Sequence, residues 1–512
     1  MRRFAFGGAV LLATIAGCSD DSVTAGSGGS GGEAQGGGGS GGEAPGGGGS
    51  GGGGEANCLG TESDDPEFAQ ALEVLREGLA AENIPGGAIA VVKDGKLVNL
   101  GVSGTKVRGA CEPVTPDTLF VLPYASEILT AIAALDAVEE GKLSLTAPIT
   151  DVIPLVVETG AQFTNDITLH HLLSHSSMYT TQADAQPQQS TCTSLVEAYS
   201  NPINSMIEAP PGSMSDNDDR ANLELAGLAL QMVDNKPFSE AVQARVLGPL
   251  GMGGTYDVAI AQAGDHSLGY VGSENGALFD CPNHYPSYGY NGSIRDYVKL
   301  AEFLTGDGEP VLESGTFEAM LAEQGPSFWS ADYLTYVSQA GIMPMSGEAV
   351  LLNIGGVSAG FNQTIYLFPD HGLAVITILN QDTFLSAGIG AEIAKIYGVD
   401  PDLDVWLEGE TEQDPATLQT LVGTYVDAIG VNGTGPRTLE VSLKLGDPGT
   451  LQGALTAGGG EPQAVTFDEH YSADNFVASP GNVVRFWRDD VGEPVAVQFG
   501  QYGSGAPFFR VP

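Results

Sequence analysis

Residues 24–56 are dominated by glycine, with units such as GGGGSGGEA repeating. A tract of this kind has almost no side chains to bury and much backbone entropy to lose, so it reads as a flexible spacer and not as part of a core. What folds must lie on its C-terminal side. On its N-terminal side stands MRRFAFGGAVLLATIAGC, two arginines followed by a short apolar run. The run is too short for a mature membrane span and has the layout of an export signal. No later stretch of the sequence is long and apolar enough for a transmembrane helix.

At 512 residues the chain is long enough for two or three domains, and 42% hydrophobic residues can supply a substantial core. Acidic residues outnumber basic ones 64 to 19, for a formal net charge of −45. Such a chain repels nucleic acid, and no nucleic-acid partner is expected. The charge reads as a solvated acidic surface. Five cysteines stand at positions 18, 58, 111, 192 and 281, without a CxxC pair or a His/Cys cluster of zinc spacing. If Cys18 is modified, the other four suit two disulfides in an oxidising compartment, with three possible connectivities.

Asp65-Pro66 has the form of a helix start, and Phe68, Leu72, Leu75 and Leu79 recur at helical spacing before a stop at Ile84-Pro85-Gly86. GAIAVVKDGKLVNLGVSG reads as two strands joined at Asp94-Gly95. In FVLPYASEILTAIAALDAVEEGKLSL, residues Ile128, Ile132, Leu135 and Val138 fall on one face of a helix that Gly141 ends. Helices are expected over residues 168–325. Strands return at Thr364–Leu367 and Leu373–Leu379, and a closing helix follows near Ala387–Tyr397. This order predicts an α+β fold, one antiparallel sheet flanked by helices with a helical subdomain. Past about residue 412, LVGTYVD, RTLEVSLKLG, TLQGAL, NFVASPG, VVRFWRD and PVAVQFGQY predict a small C-terminal all-β domain, barrel or sandwich. The expected boundaries are a signal at 1–18, a spacer at 19–57, a mixed domain at 58–400 and the β domain at 412–512.

Seven segments then occur in order between about residues 66 and 400. They are GGAIAVVKDGKLV, VTPDTLF, VEEGKLSLTAPI, ITLHHLLSHSSM, APPGSMSDND with LELAGLAL, VLGPLGMGGTYD, and FNQTIYLFPDHGLAVITILN. Together they resemble the serine β-lactamases, D-alanyl-D-alanine peptidases and related esterases, and within them the class C β-lactamase branch. The part after residue 412 is similar to a lipocalin-like domain that often follows. Ile15-Ala16-Gly17-Cys18 resembles the lipobox of bacterial lipoproteins, which implies a diacylglycerol on Cys18. The chain is then expected in the cell envelope, anchored by lipid and facing the periplasm or the exterior. Ser19 after the cysteine implies the outer membrane, by resemblance to enteric lipoproteins.

The family's chemistry, as the resemblance implies it, needs Ser-x-x-Lys at the start of the helix, so that the amine lies one turn from the hydroxyl and takes its proton. Aligned through TPDTLF, the serine falls on Tyr124 and the lysine on Glu127. A phenol ionises near pH ~10, and a carboxylate one turn away opposes its activation. The second motif, Tyr-x-Asn, falls on Asp216-Asn217-Asp218-Asp219-Arg220, its tyrosine on Asn217 or on Asp218 according to which side is aligned. The third, Lys or His then x-Gly, falls on Asn353-Ile354-Gly355, and Asn353 is expected to approach from an edge strand. Loss of both nucleophile and base argues against the family's chemistry. The added carboxylates oppose anionic substrates.

Replacements are weak. Ser126 is two residues from Tyr124, hence on a different helix face. Ser103-Gly104-Thr105-Lys106 is a literal Ser-x-x-Lys in a loop or strand, with no helical turn to align it. Gly356-Val357-Ser358-Ala359-Gly360 matches a nucleophile elbow, but a strand follows where a helix is required, and Ser358 remains a rescue candidate only. The acidic loop at Asp216, Asp218 and Asp219 reads as solvated and not as a cation site, and His170, His171 and His175 have no trusted metal spacing. No metal or cofactor is expected. Cys58 and Cys111 flank the sheet side, whereas Cys192 and Cys281 lie in the helical insert, so pairs Cys58–Cys111 and Cys192–Cys281 are expected. The resulting expectation is a tethered, catalytically inactive binding or scaffold protein, with cell-wall fragments or an envelope protein as partner. The competing expectation is a hydrolase with rewired chemistry on Tyr124, Ser358 or a carboxylate pair.

Overall fold

The computed structural model describes residues 60–511 apart from internal stretches. The longer of these stretches are 154–163, 182–191, 200–204, 213–220, 276–280, 325–332, 355–359, 402–414, 428–436 and 501–507. Cys18 and Cys58 therefore lie outside the described residues. The first helix, α1 (Pro66–Ala81), starts where the Asp65 carboxylate accepts the Glu67 and Phe68 N–H groups at 2.9 and 3.2 Å. Its stripe of Phe68, Leu72, Leu75 and Leu79 is buried. The hairpin β1 (Gly86–Lys93) and β2 (Lys96–Gly104) turns at Asp94 and Gly95, whose φ angles of 51° and 69° are those of a two-residue hairpin loop.

β3 (Phe120–Val121) leads into α2 (Pro123–Glu139). A helical subdomain follows, with α3 (Leu169–Leu173), β4 (Tyr179–Thr181), α4 (Leu195–Tyr199), β5 (Ser205–Ile207) and α5 (Ala221–Asp234). Next come α6 (Phe238–Val242), a π-helical turn over Gln243–Leu247, α7 (Gly248–Leu250) and α8 (Val258–Ala263). The segment closes with β6 (Tyr270–Val271), β7 (Glu274–Asn275), α9 (Tyr285–Tyr288), β8 (Asn291–Gly292), α10 (Ile294–Leu304) and α11 (Ser314–Leu321). The chain then returns to sheet through β9 (Tyr333–Thr335), β10 (Ser338–Met345), β11 (Glu348–Ile354), β12 (Asn362–Phe368) and β13 (Leu373–Leu379), and ends this part with α12 (Leu385–Ile396).

The main sheet is antiparallel with strand order β2-β1-β13-β12-β11-β10-β9. Period-two alternation sorts its side chains to two covered faces. Ala88, Ala90, Val92, Ile365, Leu367, Ala374, Ile376 and Ile378 join the core shared with α2, α5 and α10. Ile89, Val91, Tyr366, Phe368, Leu373, Val375 and Leu379 pack with α1 and α12 on the other face. The α+β architecture with a helical subdomain is thus the one the sequence predicts.

Three local expectations need correction. Strands do not begin at Thr364, because β9, β10 and β11 precede it. Pro344 inside β10, which counts against a strand in sequence, lies opposite Ala349. β11 is not an edge strand, since it pairs with β10 on one side and β12 on the other. Finally, α2 is not buried on a single face. Ala125, Ser126, Leu129, Thr130, Ala131, Ala133, Ala134 and Ala137 are as buried as Ile128 and Ile132, because the helix runs through the middle of the core. Small alanines on its polar-looking faces let neighbouring elements approach.

Beyond this domain, α13 (Pro415–Leu421) precedes eight strands: β14 (Gly423–Asp427), β15 (Arg437–Lys444), β16 (Asp447–Ala457), β17 (Gln463–Ser472), β18 (Asn475–Ala478), β19 (Asn482–Arg488), β20 (Pro494–Gly500) and β21 (Phe508–Arg510). β14 pairs with β21, so the sheet closes into a barrel and the sandwich alternative falls. Tyr425, Leu439, Phe467, Phe486, Val497 and Phe508 fill the interior together with Leu418 and Leu421 of α13. The Tyr425 hydroxyl donates to the Leu421 carbonyl at 2.8 Å, tying that helix to the barrel wall. Among the described residues no helix is long and apolar enough to cross a membrane.

Candidate active site

The site is built on the first turn of α2. β3 pairs with β8 through Phe120↔Gly292 and Val121↔Asn291, and the Leu122 N–H donates to the Tyr290 carbonyl at 2.9 Å. This short ladder sets where the helix begins. Leu122 at the cap offers no side-chain acceptor, so the first-turn N–H groups are not capped by the chain at that position. Tyr124 is the second residue of α2. Glu127 follows one turn later, only 6% exposed. A tyrosine and a buried carboxyl therefore occupy the backbone positions at which the resemblance calls for serine and lysine.

Ser126, between them, serves the core. It is fully buried, and its Oγ accepts the Tyr290 N–H at 2.8 Å. One turn on, the Thr130 hydroxyl lies 2.8 Å from the Ser126 carbonyl and 2.7 Å from the Pro286 carbonyl. Beneath these, Tyr256 stands against Phe238, Tyr285 and Tyr290, with ring centroids 5.4–5.7 Å apart. Burial pushes the Tyr256, Tyr290 and Tyr297 phenols well above their ordinary range, so none of them is a base near neutral pH.

The second-motif residues Asp216, Asn217, Asp218, Asp219 and Arg220 lie outside the described residues, but both ends of their loop are placed. Gly212, at φ 80°, donates its N–H to the Ser176 carbonyl at 2.8 Å. On the far side, Asn222 accepts the Ser177 hydroxyl at 2.5 Å. Gly212 and Asn222, described residues on either side of 213–220 in sequence, thus bond to one turn, Ser176–Ser177, beside His175. Burial holds the His175 imidazole down to about 3, so it is a neutral core group. His171 caps α3 through its Nδ1, which accepts the Thr168 N–H at 3.2 Å, and His170 Nδ1 lies 2.6 Å from the Tyr336 hydroxyl. These two histidines serve separate contacts, and the described residues contain no His/Cys/Asp/Glu group able to hold a metal.

Asn353 lies on β11 opposite Ile365. Ser358 and the rest of 355–359 lie outside the described residues. Their loop ends at Gly360, where φ is 79° and a Cβ would come 2.1 Å from the Tyr270 nitrogen, so only glycine fits. The Gly360 carbonyl accepts that Tyr270 N–H at 2.9 Å. The next ring, Phe361, meets Phe120 edge to face at 6.1 Å. The described residues that follow 355–359 therefore pack on Tyr270 and on β3, the strand that feeds α2. The literal Ser103–Lys106 pair is not a site: Ser103 is paired within β2 opposite Gly87, and Lys106 Nζ lies 2.5 Å from Asp265.

Sequence reasoning missed two buried polar centres. Glu224 of α5, 1% exposed, receives the Tyr199 hydroxyl at 2.6 Å and the Ser287 hydroxyl at 3.1 Å, and it pairs with His284 Nδ1. The one sequence signal was a single carboxylate inside the apolar run LELAGLAL. Arg245, on the π-helical turn, binds both oxygens of Asp234 at 2.7 Å and also pairs with Asp136 of α2 and with Glu140, the residue that caps the C-terminus of that helix. Cys192 and Cys281 are joined as a disulfide, and Cys111 is also disulfide-bonded.

A two-faced antiparallel sheet covered by helices, with a helical subdomain and a buried helix, α2, that starts beside β3 and β8, is a fold of the penicillin-recognising type. The Beta-lactamase family model matches residues 72–396, and the chain belongs to that family. The chain is 22% identical to a beta-lactamase of Yersinia enterocolitica over 339 residues, 59% of this chain and 84% of that one. It is 32% identical to penicillin-binding protein 4 of Amycolatopsis lactamdurans over 114 residues, 22% of this chain; that match spans less than a third, 29%, of the relative's length. The crystal structure of SurE superposes with a TM-score of 0.63 at 20% identity, covering 88% of this chain and 100% of that one.

Proposed function

We propose that the chain is a lipid-tethered member of the beta-lactamase family that binds without forming the family's acyl-enzyme, its ligand being a cell-wall fragment or another envelope protein. The observation that carries this reading is the first turn of α2, where Tyr124 and the buried Glu127 stand at the nucleophile and base positions and the neighbouring Ser126 is committed to Tyr290. Without an amine one turn behind a hydroxyl, the proton transfer that starts acylation has no acceptor of the usual kind. The tether part of the reading rests on Cys18 and the glycine tract.

The test is intact-mass analysis of the protein after exposure to benzylpenicillin, to a fluorophosphonate and to nitrocefin. The expected result is an unshifted mass and no nitrocefin turnover. Stoichiometric penicillin acylation overturns the reading, and fluorophosphonate labelling that one serine substitution abolishes replaces it with a rewired hydrolase. For the tether, membrane partitioning that survives Cys18→Ala removes the lipid from the proposal.

A further inference from the structure

Two clefts border the π-helical turn Gln243–Leu247, and Lys236 and Ala244 line both. Turns of this kind are rare and recur at functional sites. In one cleft, of about 390 Å³, the charges are spent on each other. Arg245 holds Asp234, Asp136 and Glu140, and Lys142 Nζ lies 2.7 Å from Glu140 and 3.1 Å from Asp234. A ligand there would have to break ion pairs. The other cleft, of about 410 Å³, is different. Lys236, Ser239, Glu240 and Gln243 line it, and among the described residues none of their side chains bonds to another protein group. Both walls of this cleft are fixed. The π-helical turn is held by the Arg245 ion pairs. Opposite it in the lining, Thr255 exchanges two N–H···O bonds of 2.8 Å with Asn291 of β8, and the Asp257 carboxylate accepts the Ile260 N–H at 3.0 Å as the cap of α8. Walls that are already in place keep the ordering cost of binding low.

We propose that this second cleft is a carbohydrate subsite that takes one or two neutral sugar units. The Lys236 ammonium and the Gln243 amide donate, the Glu240 carboxylate and the Gln243 carbonyl accept, and the Ser239 hydroxyl does both. Leu247, Ala244 and Tyr256 add apolar surface for the C–H groups of a sugar ring. Charge selects against the simpler ligands. A small anion would meet Glu240 and Asp257 beside a single lysine, on a chain of net charge −45. A compact cation would meet Lys236, and Asp257 is already engaged as a helix cap. A neutral polyhydroxylated ring uses donors and acceptors alike. No motif position lines the cleft, so the inference does not rest on whether the chain acylates, and it stands or falls separately from the function proposed above.

The experiment titrates the full-length chain by calorimetry with chitobiose, the β-1,4-linked disaccharide of N-acetylglucosamine, and in separate runs with inorganic phosphate and with spermidine. The expected result is a chitobiose dissociation constant of about 1 mM or tighter, with weaker binding of the other two. Absence of chitobiose binding in this range overturns the proposal, and so does preference for phosphate or for spermidine. The double variant Lys236→Ala with Gln243→Ala then locates the site. Both side chains are exposed, so its urea midpoint should match that of the parent. Its affinity for chitobiose should fall about tenfold, as expected for two lost hydrogen bonds. A folded double variant that binds chitobiose as well as the parent places the sugar elsewhere and overturns the assignment. If the double variant fails to fold, saturation-transfer difference spectra of the parent decide: chitobiose signals should be lost when Gln243→Trp fills the cleft, and signals that persist overturn the proposal.

Discussion

The Ser126 hydroxyl accepts the backbone N–H of Tyr290 at 2.8 Å, inside the protein and two residues along α2 from Tyr124. The hydroxyl two residues after the nucleophile position is therefore a structural acceptor. Ser126→Ala should strand a buried N–H and lower stability by about 1–3 kcal/mol. Urea unfolding measures this, with any residual esterase turnover followed in parallel. Lost turnover at unchanged stability would make Ser126 the nucleophile instead.

Restoring the family's pair is a direct probe of Tyr124 and Glu127. Tyr124→Ser combined with Glu127→Lys removes a buried carboxyl and places an amine one turn behind a hydroxyl. Binding of anionic β-lactams, followed by calorimetry, should strengthen, and acylation should remain slow because the second and third motifs are still changed. A folded double variant that binds penicillin no better than the parent would show that the cleft no longer admits it.

His175 sets a pH dependence. Burial holds its imidazole near 3, below the ordinary value of 6.5. The unfolded chain therefore binds a proton that the folded chain refuses. The stability contributed is complete above about pH 6.5 and falls as pH drops toward 3. The expected loss between pH 7 and pH 5 is about 2 kcal/mol from this group. Burial likewise lowers His170, His171 and His266, which adds in the same direction. Depressed carboxylates such as Asp234 act only below this window. Because His175 has φ 50°, Asn is the suitable replacement. Urea midpoints of His175→Asn should depend less on pH between 7 and 5 than those of the parent. Parallel profiles for the two would remove His175 as the cause.

Much of the frame was legible because it follows from local chemistry. Asp65 as a cap, the Asp94-Gly95 turn and the stripe on α1 each need only neighbours in sequence. What was hidden depends on distant partners. Glu224 lies 60 residues from His284, and nothing near either names the other. The alanines of α2 looked neutral but prove buried, since burial of a small residue is decided by what packs on it. β10 was masked by its own proline. At the site, the helix position of Tyr124 and Glu127 could be read from the motif spacing. The contacts of Gly360 with Tyr270 and of Phe361 with Phe120 could not, as they depend on tertiary packing.

The Arg245 cluster has a consequence for how such a site can diverge. Near its C-terminal end α2 is gripped through Asp136 and Glu140, and near its N-terminal end through Ser126 and Thr130. None of these four residues is a motif position. The anchorage of the helix and the identity of its reactive groups are thus carried by separate side chains. A lineage can exchange the latter while the former keep the scaffold in place, so chemistry in this architecture is free to drift under neutral substitution long before the fold registers the change.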